Sequence, residues 1–346
     1  MVISMPAEDA DGPELRPQPA DRTPVVEVQG LTKRYGSFSA VDGIDFSVGQ
    51  GEIFGFLGPN GAGKSTTIKM LCTLARPSSG TARIAGFDVA RQPREVRRRI
   101  GLVFQDQTLD EQLTAEENLR FHAVLYGVPR AEIDARITRL LEMVNLSDRR
   151  TQTVQRFSGG MARRLEIARG LMHTPQVLFL DEPTVGLDPQ TRARIWEDIR
   201  RLRDEEGVTV FLTTHYMDEA EYADRIAIID AGRIVACASP AELKGTVGQD
   251  VVLLESADDE AVALALKTVG AQARVDEEGV HVSVTDGESA IPRIMDYVQV
   301  PVCTVRLRRP SLDDVFLHFT GHQIRTGDAA AGNASIARFF ASRQRR

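Results

Sequence analysis

The sequence predicts an α/β fold over residues 25–245, followed by a small α+β module over 246–321. Three observations carry that prediction. Short β-rich runs alternate with helical patterns throughout 25–245. Several of the runs, 177–180 among them, are apolar without alternation, as in parallel strands covered on both faces. Beyond residue 250 the order becomes strand, helix, hairpin, helix, strand, which is that of a ferredoxin-like module.

Residues 1–24 are rich in Pro, Ala, Asp and Arg without periodicity and read as a disordered leader. Strands are expected at 25–28, 53–57, 100–104, 177–180, 208–213 and 225–229, and helices at 65–75, 115–126, 131–145, 159–172 and 189–206. In the second module, strands are expected at 251–255, 273–275, 280–284 and 302–307, with helices at 260–267 and 291–298 and a short amphipathic one at 312–319. Residues 322–346 read as a flexible tail. Its Ile336, Phe339 and Phe340, beside Arg338 and Arg343, form too short an apolar turn to hold a membrane surface.

Composition narrows the function. A net charge of −7 gives no support to nucleic-acid binding, and the Arg94–Arg99 run reads as a solvated helix face. Three cysteines, Cys72, Cys237 and Cys303, stand far apart with no CxxC spacing, which indicates neither a zinc site nor a disulfide framework and fits a reducing compartment. No secretory signal and no apolar run of membrane-spanning length is visible. Lysine is rare beside arginine, so Lys64 stands out.

Gly58-Pro59-Asn60-Gly61-Ala62-Gly63-Lys64-Ser65-Thr66 follows an expected strand and opens an expected helix. Glycines let backbone N–H groups converge on phosphate oxygens, and a helix N-terminus adds a favourable dipole. In such a loop Lys64 neutralises the β- and γ-phosphates of ATP, and the Ser65 hydroxyl ligates Mg²⁺. A second acidic site ends the apolar strand 177–180. Asp181 is suited to holding Mg²⁺ through water, and Glu182 to polarising the attacking water as general base.

Ser158-Gly159-Gly160, preceded by Phe157 and 23 residues ahead of Asp181, resembles the signature motif of the ABC-type ATPases. Further landmarks resemble that family in order: Gln105 after a strand, Gly186-Leu187-Asp188 after Glu182, His215 after the strand 208–213, and Tyr35 ahead of the phosphate loop. The resemblance implies that the fold is a P-loop ABC cassette, a mixed sheet plus a helical subdomain. It implies that Gln105 senses Mg²⁺ and the attacking water, that His215 contacts the γ-phosphate, that Tyr35 stacks on adenine, and that Asp188 lies in the loop through which two cassettes communicate. It also implies a homodimer, in which Ser158, Gly159 and Gly160 of one copy close over nucleotide held by the other. A separately encoded membrane permease would dock on about 106–118, with the chain peripheral at the cytoplasmic face of the membrane.

Met161 departs from the glutamine usual at that position, and with Arg163 and Arg164 it is most similar to the antibiotic-resistance and ABC-2-type exporter ATPases, the daunorubicin-resistance ATPases among them. The segment from Pro310 to Phe316 also resembles the tail of that subfamily. Export of a drug or hydrophobic secondary metabolite is therefore the expected task, with polysaccharide, lipid or peptide export as the alternative. A non-transport ABC ATPase fits less well: chromosome-type members insert a long coiled coil where only 53 residues separate Gln105 from Ser158. The 246–321 module shows no catalytic constellation and reads as an interaction domain.

Overall fold

The computed structural model describes residues 23–321, apart from 249, 269–270, 277–278 and 299. The tail with Ile336, Phe339 and Phe340, and nearly all of the expected leader, lie outside the described residues. Two compact units result, one ending at Pro240 and one running from Ala241 to Gly321.

The first unit opens with strands β1 (Pro24–Tyr35), β2 (Phe38–Gly49) and β3 (Ile53–Leu57), then helix α1 (Lys64–Leu71). Strands β4 (Ser79–Ile84) and β5 (Phe87–Asp88), helix α2 (Pro93–Arg97) and strand β6 (Ile100–Val103) follow. Helices α3 (Ala115–Leu125), α4 (Arg130–Met143) and α5 (Gly159–Leu171) precede β7 (Val177–Asp181). Then come α6 (Pro189–Glu206), β8 (Thr209–Thr214), α7 (Met217–Ala220), β9 (Arg225–Asp230) and β10 (Arg233–Ala238).

Six of these strands form a sheet in the order β10-β9-β3-β8-β7-β6, parallel except for the edge strand β10. β3, β7 and β8 are buried at every position, which explains their unbroken apolar runs. A second, antiparallel sheet runs β2-β1-β4-β5. An aromatic cluster packs the two sheets: Phe46 of β2 meets Phe54 and Phe56 of β3 and Phe211 of β8 at ring-centroid distances of 5.5, 5.6 and 5.9 Å. Each phenylalanine so buried contributes about 1.5–3 kcal/mol. Helices α3 and α4 form a helical subdomain beside the sheets, with Leu119, Ala123, Ile137 and Leu141 buried. Glu116 ties it together: hydrogen bonds from Arg150 and then Arg120 hold its carboxyl down at about 2.

The second unit contains α8 (Pro240–Val247), β11 (Asp250–Ser256), α9 (Asp259–Thr268), β12 (Gln272–Asp276), β13 (Gly279–Val284), α10 (Gly287–Tyr297), β14 (Val302–Arg308) and α11 (Leu312–Thr320). Its four strands form an antiparallel sheet in the order β12-β13-β11-β14, the expected split β-α-β arrangement. Val252, Leu254, Val262, Leu266, Val280, Val282 and Ile294 form its core.

The differences from the sequence expectation have local causes. β1 runs past residue 28 because register shifts at Gly30, where φ is +56°, break the alternation. β2 carries an alternation at Ile44, Phe46 and Val48 that the sequence reading passed over. β4 begins with Ser79 and Gly80, and β10 returns through a two-residue turn in which Ala231 has φ +46°, a conformation unusual for alanine. α10 starts at Gly287, because Asp286 caps the N–H groups of Glu288 and Ser289 one turn before Pro292. α1 ends at Leu71, four residues short of expectation.

Asp198 of α6 is 4% exposed, and its Oδ2 has no hydrogen-bond partner. Burial pushes its carboxyl up to about 6, and the charges of Arg164 and Arg201 only partly oppose this. The folded state therefore holds this proton more tightly than the unfolded chain. Ionisation costs stability, a cost absent below the ordinary value of 3.8 and complete above about 6. Asp198→Asn is expected to stabilise the protein by about 1–3 kcal/mol at pH 8 and by little at pH 4; urea denaturation of both proteins across that range checks it.

Candidate functional site

The parallel register aligns the ends of the central strands. Leu57 lies opposite Thr214, and Asp181 opposite Thr213, so β3, β7 and β8 stop at one level. Gly58, Glu182 and His215 therefore emerge together at the C-terminal edge, where open α/β sheets hold ligands.

The loop from Gly58 to Thr66 is shaped by what its glycines avoid. A Cβ on Gly58 would lie 2.3 Å from the Ile229 carbonyl oxygen. Gly63 has φ +111°, and a Cβ there would lie 2.6 Å from the Ala40 oxygen. Pro59 accepts from the Ala62 N–H, the Ala62 carbonyl accepts from the Gly232 N–H, and Asn60 and Gly61 are exposed at the tip. α1 starts at Lys64, so the loop delivers the amides of Lys64, Ser65 and Thr66 as a helix N-terminus, whose first N–H groups lack intrahelical partners.

Lys64 is 4% exposed. Its Nζ donates to the carbonyls of Gly58 at 2.7 Å and Pro59 at 3.1 Å and lies 3.2 Å from Glu182 Oε1. Burial lowers its pKa, against the opposing pull of the Glu182 and Asp181 charges. Ser65 Oγ donates to Asp181 Oδ1 at 3.2 Å, and Thr213 Oγ1 donates to the same oxygen at 2.7 Å. Thr213 Oγ1 also accepts the Glu182 N–H at 3.0 Å. Glu182 itself sits at φ +47°, a strained conformation for a residue with a Cβ. His215 Nδ1 lies 3.3 Å from Glu182 Oε1, close but without the alignment of a hydrogen bond. Burial raises the Glu182 carboxyl, but His215 and the Lys64 ammonium outweigh it and leave the group below the usual range.

A second group forms away from this cluster. Ser158 caps α5, accepting the Met161 N–H at 3.3 Å, and is exposed with Gly159. A Cβ on Gly160 would lie 2.3 Å from Thr191 Cγ2. Asp188 caps α6 through the Thr191 N–H and hydroxyl at 3.0 and 2.6 Å. Nothing hydrogen-bonds Ser158 or Asp188 to the Gly58–Thr66 loop. The Gln105 side chain is exposed two residues beyond β6 and likewise bonds none of them. Tyr35 is 41% exposed at the end of β1, with Lys33 Nζ 5.0 Å from its ring centre.

Comparison with known proteins decides what this architecture is. Residues 41–185 match the ABC transporter family, and residues 239–320 match the C-terminal domain of DrrA1-3-like ATP-binding proteins. The chain is 45% identical over 314 residues to the daunorubicin resistance ATP-binding protein DrrA2 of Streptomyces coeruleorubidus, covering 88% of this chain and 97% of that one. It is 39% identical to the Nod factor export ATP-binding protein I of Ralstonia nicotianae, covering 88% and 96%. The chain belongs to the ATP-binding subunits of ABC transporters. Among solved structures it resembles a dimeric ATP-binding cassette, MJ0796, bound to ADP and Pi, at 28% identity and a TM-score of 0.56 over 62% of this chain and 98% of that one.

ATP hydrolysis is the activity that characterises this family, and the edge cluster fits its chemistry. Ser65 and Asp181 present one hydroxyl and one carboxylate oxygen at the same point, a hard-oxygen pair suited to Mg²⁺, which keeps most of its water. The ABC motifs account for Lys64, Ser65, Asp181 and Glu182, yet several residues that hold them were not legible. Thr213 read simply as the end of a strand, and Thr214 was not singled out. Glu219, 2% exposed, accepts from the Thr184 hydroxyl and, at 2.7 Å, from Thr214, bridging the loop after Glu182 to the residue before His215. Burial raises its carboxyl despite those two donors. Its position four residues after His215 was visible, but its partners were not.

Thr213→Val removes the acceptor of a buried N–H and one donor to Asp181 while keeping shape. A loss of about 1–3 kcal/mol in unfolding free energy is expected, largely restored by Thr213→Ser. Urea denaturation of the three proteins measures it.

Proposed function

We propose that two copies of this chain, arranged head to tail, bind ATP with Mg²⁺ and hydrolyse it to drive export of a drug or hydrophobic secondary metabolite through a separate membrane permease. The observation that carries the hydrolytic part is the convergence of Lys64 and His215 on one oxygen of Glu182, beside the Ser65–Asp181 pair. The loop's amides and Lys64 bind the phosphates. The depressed pKa keeps Glu182 ionised near neutrality, able to take a proton from an attacking water. His215 is assigned to the γ-phosphate, and Gln105 to the Mg²⁺ surroundings and the attacking water. Ser65 and Asp181 would hold Mg²⁺, which would supply charge to offset the phosphate oxygens. Tyr35 is assigned to the adenine ring, where stacking contributes about 1 kcal/mol.

The exposure of Ser158 and Gly159, which share no hydrogen bond with the chain's own cradle, supports a site completed by the partner copy, with Asp188 at the same junction. The solved MJ0796 cassette is dimeric with ADP and Pi bound. No described helix is long and apolar enough to cross a membrane; the permease is assigned to another chain that docks about 106–118 at the cytoplasmic face. The drug cargo rests on the likeness to the daunorubicin resistance protein. The second reading is export of a polysaccharide, lipid or peptide, since a relative at 39% identity is named for Nod factor export and not for drug resistance.

Glu182→Gln is expected to keep ATP binding while phosphate release slows by about 10²–10⁴-fold. Turnover near the wild-type rate would remove Glu182 from the role of base. Lys64→Ala should weaken ATP binding by about 10- to 100-fold, the equivalent of one charge-assisted hydrogen bond. A fluorescent nucleotide titration reads this directly, and unchanged affinity would refute the cradle.

A further inference from the structure

Arg163 lies on the first turns of α5, five residues after Ser158, and is 7% exposed. All five of its N–H donors are used. Nε donates to the Pro183 carbonyl at 2.7 Å. One terminal nitrogen donates to the carbonyls of Asp181 and Glu182 at 3.2 and 3.1 Å. The other donates to the Phe104 carbonyl and to Glu166 Oε2 at 3.0 Å. Three consecutive carbonyls around Glu182, and the one immediately before Gln105, thus converge on a single rigid guanidinium.

Glu166, 2% exposed, completes the unit: its other oxygen accepts the Thr108 N–H at 2.7 Å and the Thr108 hydroxyl at 3.0 Å. A guanidinium this deeply buried could serve stability alone, since it adds donors to several buried carbonyls at once. The backbone at Glu182 argues for more. A non-glycine residue at φ +47° persists only where its surroundings over-determine it, and Arg163 grips the carbonyls of that residue and both its neighbours. The direction in which the Glu182 carboxylate leaves the chain follows from that backbone.

We propose that Arg163 is a positioning residue for hydrolysis: it clamps the 181–183 backbone and so aims the Glu182 carboxylate from the helix that starts at Ser158. The proposal rests on Glu182 acting as the base. It also joins the two halves of the composite site within one chain, because movement of α5 at Ser158 reaches Glu182 and the carbonyl before Gln105 through one side chain. Lysine cannot substitute, since an ammonium offers three donors from a point rather than five in a plane.

The test measures ATPase kinetics and nucleotide binding of the full chain carrying Arg163→Lys or Arg163→Gln, each alone and combined with Glu182→Gln. The single variants should lose about 10- to 100-fold in kcat with KM and nucleotide affinity nearly unchanged, and lysine should not rescue. In the Glu182→Gln background the same changes should cost less than about threefold, because their effect passes through the missing carboxylate. Wild-type kcat in Arg163→Lys, or an equal loss in both backgrounds, would overturn the proposal. Full turnover by Glu182→Gln alone would overturn the base assignment instead, and this proposal with it. Should the Arg163 variants fail to fold, Glu166→Gln takes their place: it loosens the guanidinium while leaving the carbonyls bound. It should give a smaller kcat loss, of about threefold or more, that vanishes in the Glu182→Gln background; an additive loss or none overturns the clamp.

Discussion

Lys64 and Glu182 lie 3.2 Å apart with 4% and 7% of their surfaces exposed, and much of the site's construction answers the cost of keeping two charges there. A buried ion pair recovers its desolvation cost only if further polar contacts surround it. Here the carbonyls of Gly58 and Pro59 take the Lys64 protons, and His215 faces the carboxylate. The result is a lysine whose pKa is lowered by burial and a carboxylate whose pKa is held below its usual range. The Glu182 carboxylate therefore stays ionised at neutral pH, as the proposed base requires.

The same edge shows how backbone geometry substitutes for side-chain chemistry. Gly58 and Gly63 let the loop approach β9 and β2 more closely than any Cβ would permit. Glu182 takes the opposite course, holding a left-handed conformation that its side chain disfavours. The strain is sustained by bonds from both sides: Thr213 holds its N–H, and Arg163 holds its carbonyl.

Much of the fold was legible because the parallel strands are buried on both faces and write continuous apolar runs. The β1–β2–β4 sheet was legible only at the start of β1, since bulges at Gly30 and short, polar-ended strands blur the alternation. Within the site, Lys64, Ser65, Asp181 and Glu182 announced themselves by motif and came together as expected. Ser158 and Asp188 were also picked out, but within a single chain they act as helix caps apart from the cradle. Gln105 and Tyr35 stand exposed, with roles that no contact in the single chain displays.

The sequence by itself determined the α/β class, the phosphate loop, the acidic pair and the order of the family's landmarks, because each depends on local spacing: glycines where the chain must turn tightly, acids where an apolar strand ends. Only the tertiary structure decided that Thr213 and Arg163 support that pair and that Glu219 ties the loop after it to Thr214. Their partners lie on other elements, 31 residues from Thr213 to Glu182, 59 from Arg163 to Phe104 and 35 from Glu219 to Thr184. A buried hydrogen bond is written into no single stretch of chain. It exists only once the sheet has brought separate strand ends to one level and excluded water from between them.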